Sequence, residues 1–524
     1  MLLSPIIRAL VAARARASRR VDAVAAQRRT LERLLRVAAG TRFGRAHDFA
    51  RLRGPDDFAA AVPLRRYEGF WRDWFAPAWP LLDDIAWPGR IPFFALSSGT
   101  TSGTTKRIPV TRAMLASNRR AGLDTLAYHF AARPGSAALS GRSLMLGGST
   151  ALETPAPGVR AGDLSGIATA TLPWYAEPLV FPPRALALLT DWEVKLEGIT
   201  RAAIDQRITT LTGTPSWLLL LLERLRAERA ARGESPTPLP DLALLLHGGV
   251  RFDPYRRRFA ELLAPATPDL REVYPASEGF FASADRGYGE GLRLNVDHGL
   301  YFEFVPIDEL DSPRPTRHRV GTVETDVNYA LVVSSCAGLW SYVVGDTVRF
   351  VTLDPPRLLI TGRTSYMLSD FGEHLIGEEI DAALSVAAAE AAIDVVDYSV
   401  AAAHFAADGI CREFPSLHRP PDWPEAPGGH VYVVEASRPV DPATAVTLAR
   451  ILDRELCACN DDYRAHRAPG VGIAPPFVVL APPGCFASWM KARGRLGGQN
   501  KVPRVIHDAT LMRTLLDVAR HGGG

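Results

Sequence analysis

Apolar residues recur at helical spacing over residues 1–40, with arginines on the other face, which predicts an amphipathic helical start. Its Ala/Arg-rich beginning, Met1 to Arg20, lacks the continuous apolar run of a secretory signal and reads as a surface helix rather than a transit peptide. Residues 41–90 lose the period. Trp71, Trp74, Trp79 and Trp87 stand there among prolines, as in an irregular covering segment. Ile91 to Leu96 is a short apolar run with strand character. Thr111 to Arg133 is helical with Thr111 as its N-cap, and Ser143 to Leu146 resumes as strand. This alternation predicts an α/β sheet. Helix is expected over Trp192 to Leu211 and Ser216 to Arg232. A Pro-rich loop (Glu234 to Pro240), a strand (Leu242 to Leu246), a basic helix (Pro254 to Leu263) and a strand ending at Tyr274 follow.

From 280 to 362 the period shortens to that of strands: Leu300 to Val305, Gly321 to Val327, Leu331 to Ser334, Leu339 to Val343, Thr347 to Val351 and Leu358 to Thr361. Helix Glu378 to Ala392, strand Asp397 to Ala402, a Pro-rich loop (Pro415 to Gly429), strand His430 to Glu435 and helix Pro442 to Asn460 then form a βαβ-like set. The expected division is a large N-terminal domain, 1–364, with α/β sheets and a β-rich subdomain, and a small mobile C-terminal α+β domain, 365–524.

Composition narrows the class. A chain of 524 residues, 47% hydrophobic, can bury more than one core. A net charge of +3 gives no basic surface for nucleic acid, and the longest dense apolar run, Trp217 to Leu222, is far short of the ~20 residues that span a membrane. Five scattered cysteines fit a reducing compartment, so a cytoplasmic location is expected, and they show no metal-ligand spacing. Only four of the 60 basic residues are lysines: Lys106, Lys195, Lys491 and Lys501. Lysine is a compact charge that arginine does not mimic, so each is worth placing. Lys195 and Lys491 belong to no motif and are expected at the surface.

The most distinctive stretch is Ser97 to Thr105, nine residues of Ser, Thr and Gly between an apolar run and Lys106. Gly99 and Gly103 permit turns with positive φ, and successive N–H groups in such turns form anion-binding nests. The hydroxyls of Ser98, Thr100, Thr101 and Ser102 add donors. The loop suits a phosphate, yet it is no Walker loop, because no Gly-Lys-Ser/Thr follows its glycines. Three further features come in order. Tyr274-Pro275-Ala276-Ser277-Glu278-Gly279 ends a strand with an acid, and a carboxylate beside phosphates can hold Mg²⁺. Tyr342-Val343-Val344-Gly345-Asp346 reads as a strand running into a Gly-Asp turn whose carboxylate can accept from ribose hydroxyls. Gly362-Arg363 precedes Gly372-Glu373.

These features, with Gly497-Gly498-Gln499-Asn500-Lys501-Val502-Pro503-Arg504, resemble the adenylate-forming superfamily. They are closest to the Gretchen Hagen 3 (auxin-conjugating) acyl acid amido synthetases, bacterial relatives in particular. The loop Ser97-Ser98-Gly99-Thr100-Thr101-Ser102-Gly103-Thr104-Thr105-Lys106, the preceding Pro92-Phe93-Phe94, Thr41-Arg42-Phe43-Gly44-Arg45, Val62-Pro63-Leu64 and Tyr67-Glu68 carry the closer likeness, over about 30 to 510. Plant members often have Ser-Ser-Glu where this chain has Ala276-Ser277-Glu278, and Thr364 to Phe371 aligns poorly, so the hinge is placed only approximately.

The resemblance implies a ligase that adenylates a small carboxylic acid with ATP, indole-3-acetate being the family's best-known acid. The acyl group then passes to an amino acid's amine, releasing AMP and pyrophosphate. It implies phosphate contacts from Ser98, Gly99, Thr100, Thr101, Ser102, Gly103 and Lys106, and adenine contacts along Tyr274, Ala276 and Ser277. It further implies Mg²⁺ on Glu278, ribose on Asp346, a hinge-side Arg363 and Lys501 as the catalytic lysine. Arg119 or Arg120 could meet the acid's carboxylate, and His247 could line a pocket or sit satisfied in a turn. The acyl pocket is placed only by position, among Leu146 to Leu152, Leu172 to Tyr175 and Phe280. The alternatives are a thioester former that uses coenzyme A and a nucleotide-binding protein without turnover. Neither a Gly-x-Asp-Ser carrier signature nor a His-His-x-x-x-Asp condensation motif occurs, so a carrier-independent monomer is expected.

Overall fold

The computed structural model describes all residues except 1–3, 19–20, 99–104, 148–151, 190, 250–251, 253–254, 365–366, 369–372, 374, 405–427, 468–472, 496–501 and 522–524. The described residues fall into two compact units, one running Met1–Ile360 and the other beginning at Thr361.

The first unit opens with two helices, Ser4–Ser18 and Ala23–Ala38, where the sequence pattern predicted one continuous stretch. Its strands are β1 (Phe93–Ser98), β2 (Thr105–Val110), β3 (Arg142–Met145), β4 (Glu153–Ala156), β5 (Val159–Gly162), β6 (Val180–Phe181), β7 (Ile208–Gly213), β8 (Leu244–His247), β9 (Asp269–Ala276), β10 (Gly279–Ser283), β11 (Leu292–Leu294), β12 (Leu300–Pro306), β13 (Asn328–Ser335), β14 (Tyr342–Leu353) and β15 (Pro356–Arg363). β2-β1-β5-β4 form a small sheet, and the other eleven form one sheet in the order β12-β13-β14-β15-β11-β10-β9-β8-β7-β3-β6. The β9 end of this sheet is parallel through β8, β7, β3 and β6, with helices Trp192–Ala203 and Pro215–Ala231 in the same core. The β10 to β15 end is antiparallel and packs on a core that includes Phe43, Phe70, Phe302 and Trp340.

Several expectations fail for local reasons. The helix from Trp192 stops at Ala203, and Ile208 to Leu211 is strand; the β-branched run Ile208-Thr209-Thr210 packs into the sheet instead of continuing the helix. Gly321 to Val327 is not a strand and contributes one isolated bridge, Thr325 to Phe350. The predicted break at Gly345-Asp346 does not occur. Gly345 takes φ +96°, the β13–β14 register slips beside it, and β14 continues to Leu353. A positive-φ glycine and a slipped register together bend a strand without ending it.

In the second unit, strand Gly428–Ala436 is central, antiparallel to Val395–His404 and parallel to Phe477–Ala481. The pair expected as βαβ-like is thus antiparallel, and the βαβ crossover lies one step later, through helix Thr444–Cys459. All nine residues of the central strand are buried. Helices Gly377–Glu390 and Thr444–Cys459 pack in one apolar cluster with it, and Cys485–Ala492 and Ala509–His521 in another.

Thr111 caps helix Arg112–Ala132, as its position before that apolar run predicts. Its hydroxyl accepts from the Met114 N–H at 3.1 Å and donates to the Cys336 carbonyl at 2.7 Å. Thr111→Ala loses both contacts and should cost about 1 kcal/mol, seen as a lower urea midpoint; an unchanged midpoint would show that the cap carries no weight.

Candidate functional site

The Ser/Thr/Gly loop joins an antiparallel hairpin. Ser98 closes β1 opposite Thr105 of β2, and the pairing runs back to Phe93 opposite Val110. Gly99, Thr100, Thr101, Ser102 and Gly103 lie outside the described residues, as does Lys501. The loop's base is described. Lys106 sits beside it, with its ammonium 5.5 Å from the ring centroid of Tyr67. The Tyr67 hydroxyl accepts from the Arg107 N–H at 2.9 Å, and the Arg107 guanidinium lies over Trp71 and Trp79. Burial raises the Tyr67 phenol above its usual pKa. The covering segment, expected to be irregular, is built of short helices, Arg42–Ala46, Pro55–Ala61 and a helical run from Tyr67 to Ala78, and two of its tryptophans clasp the strand that leaves the loop.

Glu278 sits in a two-residue turn. Ala276 at the end of β9 pairs with Gly279 at the start of β10, so Ser277 and Glu278 form the whole connection. Both are buried. Tyr342, the first residue of β14, is fully buried nearby. Burial pushes its phenol well above the usual value, and the Glu278 carboxylate, Glu68 and Tyr67 push it further in the same direction. Arg65 pairs with this strand start, donating to the Ser341 carbonyl and accepting from Val343, both at 3.0 Å. The covering segment thus delivers Tyr67 and Glu68 to the same place as Glu278. Sequence reasoning named Tyr67, Glu68 and Tyr342 only as motif residues. Their signal was the apolar company of a tyrosine that starts a buried strand.

Four residues on from Tyr342, Asp346 accepts a hydrogen bond from the Tyr274 hydroxyl at 2.6 Å. Both side chains are at least 92% buried. Tyr274 and Asp346 therefore meet directly, while Ala276 ends the same strand as Tyr274 and packs against the first core. Arg363 is half-buried at the end of β15, following Gly362 with φ +153°. Among the described residues no three His, Cys, Asp or Glu side chains gather as a self-sufficient metal site. A single carboxylate at Glu278 fits the way Mg²⁺ binds, on one or two carboxylates with phosphate oxygens completing the set.

The Lys195 placement needs correction. Lys195, expected at the surface, is 2% exposed on helix Trp192–Ala203, where its four-carbon stem joins the helix's inward face. Its ammonium donates to the Gly147 carbonyl at 3.2 Å. Burial lowers it to about 8, against a smaller opposite pull from Asp163. Lys491 is exposed. Arg120 is held by Asp297, and Arg119 donates to the Thr171 carbonyl at 2.8 Å. His247 is buried and stacks on Phe252 with ring centroids 4.1 Å apart. Of the positions assigned to an acyl pocket, Leu146 belongs to the second apolar core, while Trp174 and Tyr175 stand exposed.

The comparisons with known proteins agree along the chain. The GH3 family N-terminal domain matches residues 17–163, its central domain 294–363 and its C-terminal domain 378–510. The indole-3-acetic acid-amido synthetase GH3.8 of Oryza sativa subsp. indica is 28% identical over 256 residues, 44% of this chain and 39% of its own. Its namesake GH3.3 of Arabidopsis thaliana is 24% identical over 268 residues, 49% and 42% respectively. These matches span about two fifths of the relatives' length. Among solved structures, a GH3.15 acyl acid amido synthetase has a TM-score of 0.76 at 16% identity, covering 96% of this chain and 94% of that one. A 2-hydroxyisobutyryl-CoA ligase in its postadenylation state has a TM-score of 0.58 at 16% identity, covering 94% and 90%. At these identities the structural likeness establishes a shared fold.

Lys195 makes stability depend on pH. Its ammonium ionises near 8 in the folded protein and near 10.5 without burial, so the unfolded chain holds more protons between those values. The Lys195 contribution to stability should therefore rise as pH climbs from about 8 toward 10.5, so the stability difference between the parent protein and Lys195→Met should change across that range. Urea unfolding of both proteins across that range measures it; parallel profiles would contradict the burial.

Proposed function

This chain belongs to the GH3 family, and we propose that it is an ATP-dependent acyl acid amido synthetase. The observation that carries the proposal is the gathering, on a GH3 chain, of the loop-bearing hairpin, the Glu278 turn and the Tyr274–Asp346 pair about the start of β14. A carboxylate is a poor electrophile. In the proposed reaction one carboxylate oxygen of the acid attacks the α-phosphorus of ATP, the bond to the bridging oxygen breaks, and pyrophosphate leaves. The resulting acyl-adenylate has a good leaving group. An amino acid's amine attacks its carbonyl carbon, the C–O bond to AMP breaks, the amine gives up a proton, and the amide is released.

Each residue has an assigned task in this scheme. N–H groups and hydroxyls of the loop from Ser98 to Gly103 hold the β- and γ-phosphates. Asp346, oriented by the Tyr274 hydroxyl, accepts from the ribose hydroxyls, while Ala276 and Ser277 border the adenine. Glu278 would hold Mg²⁺, which spreads the phosphate charge when bound. Lys106, over the face of Tyr67, steadies the loop's base. Arg363 and Lys501 act with the second unit, domain closure bringing Lys501 to the charge that develops between the α-phosphate and the acid. No enzyme nucleophile is required.

A pyrophosphate-release screen of carboxylic acids, with and without each amino acid, tests the reading. Release should require an acid, and the amide should form only with an amine. Release without any acid would overturn the proposal, and a thioester formed with coenzyme A while amines stay inert would replace it. Within an active pair, Lys501→Ala should lower the adenylation rate by about 10²–10³-fold with a small change in KM. Asp346→Ala should instead act mainly through KM for ATP, raising it at least about tenfold, the weight of a buried charge-assisted contact. Single-turnover kinetics separate the two; equal losses of adenylation rate in both variants would refute the division of labour.

A further inference from the structure

A cavity lies at the opposite end of β1 from the Ser/Thr/Gly loop. Phe93 lines it, and Ser98 at the loop's base is five residues further on, roughly 17 Å at about 3.3 Å per strand residue. The cavity has a volume of about 640 Å³, within the roughly 300–1,000 Å³ typical of small-molecule sites. Three guanidinium-bearing residues line it: Arg112, Arg119 and Arg160. Among the described residues no carboxylate does. Among the described residues Arg112 and Arg160 enter no ion pair, and the hydrogen bond of Arg119 goes to the Thr171 carbonyl, a neutral acceptor on the same wall.

Three like charges lining one cavity, with no carboxylate among the described residues of its wall, repel one another, and an anion relieves that repulsion. The sequence offered acids in plenty, 57 Asp and Glu residues, yet among the described residues none lies in this wall. Arg112 is also the first residue of helix Arg112–Ala132, so the helix's positive end opens on the same space. The rest of the lining is apolar where Phe93 and Leu115 stand, which gives a flat hydrophobic body somewhere to lie.

We propose that this groove binds a phosphate monoester with an aromatic or apolar body, its phosphate held by Arg112, Arg119 and Arg160 and its body laid over Phe93 and Leu115. A dianionic phosphate matches three guanidiniums better than a single carboxylate does, and guanidinium forks bind its oxygens in pairs. The site is separate from the proposed nucleotide site and does not rest on it.

The test uses 1-naphthyl phosphate as probe, titrated calorimetrically into the full chain without an acid substrate. One molar equivalent should bind, more weakly as salt rises. The double variant Arg112→Ala/Arg160→Ala changes only exposed side chains. It should raise Kd at least tenfold and leave the melting temperature and the affinity for ATP unchanged, while Asp346→Ala should leave probe binding as in the wild type. Unchanged affinity in the double variant would overturn the proposal. So would probe binding lost in Asp346→Ala, since the probe would then be reading the nucleotide site.

Discussion

The hydrogen bond from Tyr274 to Asp346 is a constraint on the whole sheet. β9 and β14 are four steps apart in the strand order, through β10, β11 and β15. In a flat sheet, neighbours at about 4.8 Å would put them roughly 19 Å apart. A separation of 2.6 Å between side-chain oxygens requires the antiparallel end to curl until β14 faces β9. Positive-φ glycines at 345 and 291, and register slips at β10 and β14, supply the bending. The curl also makes the candidate site. It gathers the last turn of the parallel half and the first strand residues of the antiparallel half into one buried polar cluster.

Within that cluster the Tyr274–Asp346 pair is satisfied internally, and aromatic rings wrap the rest. Removing a carboxylate from water is costly unless donors replace the water, and Asp346 has the Tyr274 hydroxyl. Tyr342 stays a neutral phenol, since burial and the neighbouring Glu278 both oppose its ionisation. The aromatic covering segment from Tyr67 to Trp79 does two jobs at once. It closes the first core and clamps Arg107 where β2 leaves the Ser/Thr/Gly loop. Its backbone is helical from Tyr67 through Phe75 to Ala78, and the four-residue spacing of Tyr67 and Trp71 stacks their rings on one face of that helix, with Trp79 just beyond its end.

Much of this was legible in the chain. The hydroxyl-rich loop, the Glu278 turn and Asp346 stand out locally, and the order in which they occur carried the family resemblance. Periodicity found Thr111 and its helix because a cap is a local event. What escaped depends on long-range packing. Ile208 to Leu211 is strand because the sheet claims it, although the preceding helical pattern runs on. Gly345 reads as a turn in isolation and is a bend inside β14 only because β13 lies alongside. Lys195 carries no local mark of burial; helix Trp192–Ala203 takes it inward together with Leu196 and Ile199. The meeting of Tyr274 with Asp346, 72 residues apart, follows from sheet curvature that no single stretch encodes.

The central claim is that the acid's own oxygen is joined to the α-phosphorus before the amide forms. An acid substrate labelled with ¹⁸O in both carboxylate oxygens tests it directly, with the products analysed by mass spectrometry after turnover with an amino acid. The account predicts one ¹⁸O in AMP, one in the amide and none in pyrophosphate. Label in inorganic phosphate accompanied by ADP, or unlabelled AMP, would contradict it.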